Sequence, residues 1–140
     1  MNADEQLAEV GRWLGYAQAD LRAAEILIAG EDAIPRLSCW HAQQGAEKAL
    51  KAVLVFLGIE VPRYHNLNAL RNLILDGWQL KDDHPDLSRL TEWAVEARYP
   101  GDWPDATEAD ARLAVQEARA LWNSVMADLT EHGLRVDASP

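Results

Sequence analysis

The stretch Cys39–Leu57, CWHAQQGAEKALKAVLVFL, decides how the rest of the chain is read. Cys39, Ala42, Ala46, Leu50, Val53 and Leu57 recur every three or four residues, which places them on one apolar stripe of a helix. His41, Gln44, Lys48 and Lys51 recur at the same interval on a second stripe, with Gln43 and Glu47 close beside it. A small, Ala-rich packing face combined with a row of polar groups makes this helix a candidate surface for a ligand or a partner.

Outward from that helix, the N-terminal flank repeats the pattern. Leu7, Val10, Leu14, Ala17, Leu21, Ala24 and Ile28 keep a three-four spacing and predict one long helix from Asp4 to Ala29 with a seam-like face. Asp20 stands at the edge of that seam and reads as a solvated acid. Gly30–Ile34 forms a turn, Pro35 suits the first position of the second helix, and Gly58 suits the position just past its end. On the C-terminal side, Asn66 is placed to cap a third helix through Leu67, Leu70, Leu73 and Ile74, which Gly77 interrupts. Pro85 opens a fourth helix through Leu87, Leu90, Trp93 and Ala97, stopped by Tyr99-Pro100-Gly101. Thr107 caps a fifth, with Asp110 in the capping-box position and a core face of Ala111, Ala114, Ala118, Leu121, Val125 and Leu129. No segment alternates with period two. The expected fold is an all-α, antiparallel up-and-down bundle of about five helices over residues 1–132, with residues 133–140 as a flexible C-terminal tail.

The chain has 140 residues and 49% hydrophobic content, enough for one domain with a real core and too much for a disordered chain. Its longest apolar run, Ala52–Leu57, is too short to span a bilayer, and the start is acidic and amphipathic. A cytoplasmic protein with no membrane association is expected. The formal charge of −10 argues against a broad nucleic-acid footprint. The charge is uneven, however. Between Arg36 and Leu75 five Lys/Arg face two Glu, a net +3 that leaves −13 for the remainder. A basic island of that size suits a small anion such as a nucleotide phosphate, or acidic neighbours in the fold. One cysteine and no pair of histidines at i,i+4 give no basis for a metal site or a cofactor, and Cys39 lies on the packing stripe. Trp13, Trp93 and Trp122 fall on helix faces that would be buried, whereas Trp40, Trp78 and Trp103 fall at helix starts, ends or loops.

Three groups of residues could bind or react. The Gln44/Lys48/Lys51 row with His41 offers lysines for phosphate and amides for a base or sugar, or else a solvated face in which Glu47 pairs with Lys51. Arg63-Tyr64-His65 places an imidazole just before the third helix, or a histidine that holds the loop. Arg98 would favour the last turn of the fourth helix, and Tyr99 could stack on a base or cover the bundle end.

Gln43-Gln44-Gly45-Ala46-Glu47-Lys48-Ala49-Leu50-Lys51-Ala52 resembles the signature of HEPN domains. Ala19-Asp20-Leu21, His65-Asn66-Leu67 and Ala97-Arg98-Tyr99-Pro100 match further pieces in order along the chain. The resemblance implies an all-α homodimer of prokaryotic origin, encoded beside a minimal nucleotidyltransferase in a toxin–antitoxin-like pair. In that role the chain would be a nucleotide-binding accessory subunit rather than an enzyme, taking an ATP- or GTP-like ligand. Carried over by position, the groove residues are Gln44, Lys48, Lys51, His65, Arg98 and Tyr99. Asn66 departs from the usual aspartate. Gly45 departs from the usual alanine, at a cost of about 1 kcal/mol of helix propensity unless close packing offsets it. Two alternatives stand beside this. Some HEPN relatives are endoribonuclease toxins with Arg, four to six residues, then His, a spacing that Arg36 and His41 satisfy. The chain could also be a non-catalytic dimeric interaction module.

Overall fold

The computed structural model describes residues 1–94 and 105–135. Among these are six helices and no strand, one helix more than expected: α1 (Ala3–Ile28), α2 (Pro35–Phe56), α3 (Leu67–Asn72), α4 (Gln79–Asp83), α5 (Ser88–Thr91) and α6 (Glu108–Glu131). The long helices begin where the sequence supplies partners for their free N–H groups. The Asn2 side chain accepts from Glu5 N at 2.8 Å, and Glu5 reaches back to Asn2 N. Thr107 and Asp110 form the same reciprocal box on α6, Pro35 starts α2, and Asn66 caps α3 at 3.0 Å from Ala69 N. Gly58, at φ +72°, takes the left-handed step that ends α2.

α1 and α2 form an antiparallel hairpin. Ser38 Oγ donates to Ala24 O at one end (2.7 Å), and Gln6 Nε2 donates to Val55 O at the other (2.8 Å). Gly45 lets the two backbones approach. A Cβ there would stand 2.9 Å from Leu21 Cγ and 3.2 Å from Ala17 O, so close packing does offset the poor helix propensity. α3, α4 and α5 carry the chain back, and α6 then runs alongside α2 in the same direction. Asp110, at the start of α6, acts on Cys39 near the start of α2, while Leu134, just past α6, packs against Ala52 and Val55. α2 is the centre of the molecule: 14 of its 22 residues are buried, including every residue from Ala49 to Val55. Its two-faced pattern therefore holds only in the first half. The second half is enclosed all round, and fully buried side chains such as Leu50, Leu54, Leu121 and Leu129 each hold about 2–5 kcal/mol against truncation to Ala.

The return segment differs most from expectation. Leu87, Leu90 and Trp93 are buried as their spacing predicts, but among the described residues of the expected fourth helix only one turn, α5, is helical. Asp86 Oδ1 accepts from Ser88 N (2.9 Å) and Asn68 Nδ2 (3.0 Å), and Asn68 Oδ1 accepts from Leu87 N (2.7 Å). These side chains take the backbone donors that a longer helix would use. α4 has no cap of its own. Asp128, buried on α6, accepts from Gln79 N at 3.1 Å and Leu80 N at 2.8 Å. Trp78 is buried beside it, stacked on His132 with ring centroids 4.0 Å apart. Ala97, the Tyr99-Pro100-Gly101 stop and Trp103 lie outside the described residues, as does the expected tail beyond Arg135. No helix among the described residues is long and apolar enough to cross a membrane.

Candidate functional site

The polar stripe of α2 meets α1 on one flank and the loop before α3 on the other, and a carboxylate waits on each side. On the α1 side, Asp20 Oδ1 lies 2.9 Å from His41 Nδ1, and Asp20 Oδ2 lies 2.5 Å from Lys48 Nζ. His41 and Lys48 are seven residues apart, two helical turns, so one carboxylate from the neighbouring helix can span both. The expectation that Asp20 is solvated does not hold: its side chain is only 13% exposed, because the Gly45 contact draws α1 close enough to reach across.

On the other side, Glu47 is the hub. Its Oε1 lies 2.8 Å from His65 Nδ1 and accepts from Gln43 Nε2 at 3.2 Å, and its Oε2 accepts from Lys51 Nζ at 2.9 Å. Gln43 also donates to His65 O (3.3 Å), which ties the loop to α2, and accepts from Gln44 Nε2 (2.8 Å). The Glu47–Lys51 pair has the i,i+4 spacing of a surface pair, yet both side chains are under a tenth exposed. Lys51 also lies over the Trp13 ring, 5.7 Å from its centroid. The structure thus brings together four of the expected groove residues, Gln44, Lys48, Lys51 and His65. Arg98 and Tyr99 lie outside the described residues.

The arrangement has a definite chemistry. Asp20 and Glu47 balance Lys48 and Lys51, so the cluster carries no net charge while both histidines are neutral. Each imidazole presents Nδ1 to a carboxylate. A carboxylate beside Nδ1 favours a proton on that nitrogen and fixes the orientation of each ring. His41, Gln44, Lys48 and His65 are partly exposed, whereas Gln43, Glu47 and Lys51 are buried behind them. The result is a rigid row of polar groups on a buried support.

Asp20, Glu47 and Gln43 are not among the groove residues read from the sequence. The available signal is the absence of any acid on the His41/Lys48 stripe itself, which leaves two basic groups seeking a carboxylate from another helix. Arg36 and His41, by contrast, both lie within the regular turns of α2, where a separation of five residues rotates them by about 140°. They leave the helix on different sides. Cys39 is buried in the core, and its thiol is pushed up to about 11, chiefly by burial and further by the charge of Asp110. Among the described residues, no group of three His, Cys, Asp or Glu side chains could hold a metal ion.

Comparison with known proteins agrees with the fold and with the family resemblance. The chain is 30% identical over 135 residues to "Putative toxin MJ1304" of Methanocaldococcus jannaschii, covering 85% of this chain and 88% of that protein. It superposes on the crystal structure of TT1696 from Thermus thermophilus with a TM-score of 0.70 and 25% identity, covering 86% and 98% of the two chains. ST0689, an archaeal HEPN homologue, gives a TM-score of 0.61 and 28% identity over 84% and 95%. The HEPN domain model itself matches residues 10–129, which contain both carboxylate clusters. The chain belongs to the HEPN domain family.

Proposed function

We propose that this chain is the HEPN half of a toxin-type pair, a homodimeric, prokaryotic accessory subunit that binds a nucleotide or polynucleotide end for a separate minimal nucleotidyltransferase. One observation carries the reading: Gln44, Lys48, His41 and His65 form a partly exposed row fixed from behind by Asp20 and Glu47. Groups held in place before the ligand arrives lose little freedom on binding. Lys48 would contact phosphate, and Gln44 and His65 would orient the base or sugar. Lys51, being buried on Glu47, would hold the support rather than touch the ligand. Arg98 and Tyr99 would complete the site with a second cation and a stacking ring. The likeness to a protein named as a toxin supports the toxin-type half of the proposal.

Calorimetric titration of the full chain with ATP and GTP, with and without Mg²⁺ and with and without the nucleotidyltransferase, tests it. Saturable binding that weakens about tenfold or more in Lys48→Ala is expected, as for loss of a charge-assisted contact. Absence of binding under every condition would overturn the nucleotide reading. The ribonuclease alternative through Arg36 and His41 gains nothing from the helix geometry, which separates the two side chains.

A further inference from the structure

The face of α1 that meets the polar stripe of α2 continues outward into a small aromatic cleft. Trp13 and Asp20 are seven residues apart, two turns, and meet the stripe at successive points: Lys51 lies over the Trp13 ring at 5.7 Å, and Lys48 and His41 reach Asp20. Tyr16 stands between them, about 40–60° further round the helix toward solvent. It is 62% exposed. With Glu9 and Arg12, the two aromatic residues line a cleft of about 240 Å³. That is below the ~300–1,000 Å³ of a pocket for a whole ligand and suits a single ring system. Its polar groups are not engaged elsewhere. Glu9 is half-buried, Arg12 is exposed, and among the described residues neither makes an ion pair, although they stand one turn apart.

We infer that this cleft is the base subsite of the nucleotide site and that it selects guanine over adenine. The inference rests on the nucleotide reading proposed above. Position selects a base. Tyr16 lies four residues, about 6 Å along α1, from Asp20, where Lys48 would take the phosphate, and a ribose fits the span between them. A planar base can then lie against the Tyr16 and Trp13 rings, a contact open to any base because every base has a π-face. The polar rim selects guanine. Its Watson–Crick edge carries two adjacent N–H donors, which the Glu9 carboxylate can accept together, beside a carbonyl oxygen to which the Arg12 guanidinium can donate. Adenine in the same place would set a ring lone pair against Glu9 and an amine against Arg12.

Calorimetric titration of the full chain with GTP, ATP and inorganic triphosphate, which has no base, tests this. GTP is expected to bind about tenfold or more tightly than ATP, as for one pair of matched base contacts. Tyr16→Ala should weaken GTP binding about tenfold, as for loss of one stacking ring, and leave inorganic triphosphate unchanged. Glu9→Gln should remove most of the advantage of GTP over ATP. Neither side chain is in the core, so the fold should survive both changes, which circular dichroism verifies. GTP binding that ignores both variants, or that only equals ATP binding in the wild type, would overturn the base subsite and leave the nucleotide reading standing. Equal weakening of GTP and inorganic triphosphate by Tyr16→Ala would do the same. No binding of either nucleotide, alone or with the nucleotidyltransferase, would overturn both.

Discussion

Asp20 and Glu47 each hold one histidine and one lysine, but they do so in different surroundings. Asp20 reaches from α1 across to α2, and its lysine partner is about a quarter exposed. Glu47 belongs to α2, takes Lys51 from the next turn and His65 from the following loop, and is almost wholly enclosed. Water can replace a lost partner of Lys48 but cannot reach the Glu47–Lys51 pair, although His65 on its outer side is about as exposed as His41. The carboxylate–lysine pair is therefore a surface that a ligand can compete for in one place and an internal strut in the other. The difference comes from the register of α2, whose polar stripe turns under the neighbouring elements as the helix proceeds.

The largest expected effect follows from the enclosed group. Glu47→Ala should lower the unfolding free energy by about 3–5 kcal/mol in urea titration, because it leaves Lys51 buried without its partner. The double variant Glu47→Leu/Lys51→Met should lose much less, since it removes both charges. Gly45→Ala comes next. Its methyl group would press on Leu21 and on the Ala17 carbonyl, so a loss of about 1–3 kcal/mol is expected despite the better helix propensity. The displacement of α1 should move the NMR resonances of His41 and leave those of His65 in place. Asp20→Ala should cost only about 1 kcal/mol, and less at high salt. A loss equal to that of Glu47→Ala would erase the distinction between the groups.

The smallest effect lies outside both groups. His84, beside Ser124 Oγ at 2.9 Å, has its pKa lowered, mainly by burial. The unfolded chain binds that proton more readily. The contribution of His84 to stability is therefore present above its ordinary value near 6.5 and is lost as pH falls through the lowered one. Thermal melts of His84→Gln should depend less on pH between 7 and 5 than those of the wild type.

The long helices are legible in the sequence because their signals are local: Asn2, Thr107 and Pro35 at the starts, Gly58 at an end, and three-four periodicity between. The exposed half of the α2 stripe is legible for the same reason. What the sequence hides is set by residues far apart in the chain. Asp20 looks solvated until Gly45 brings α1 within reach of His41. Glu47 and Lys51 look like a surface pair until their surroundings enclose them. The fourth helix is shorter than its spacing predicts because the apolar pattern of Leu87, Leu90 and Trp93 suits burial in a short turn as well as in a helix, and Asn68 bonds to Leu87 N across 19 residues.

The cap that Asp128 provides for α4 has a consequence for the order of assembly. Five residues cannot sustain a helix alone, because the first turn costs more than it returns. The two backbone donors that start α4 meet their acceptor only when a residue 48 or 49 positions later has arrived. α4 thus cannot nucleate during the early closure of the α1/α2 hairpin and must wait for α6 to dock. In hydrogen-exchange experiments the amides of Gln79 and Leu80 should gain protection together with those around Asp128, as one late unit. A chain ending before α6 would leave residues 79–83 without helical order, however favourable their own sequence.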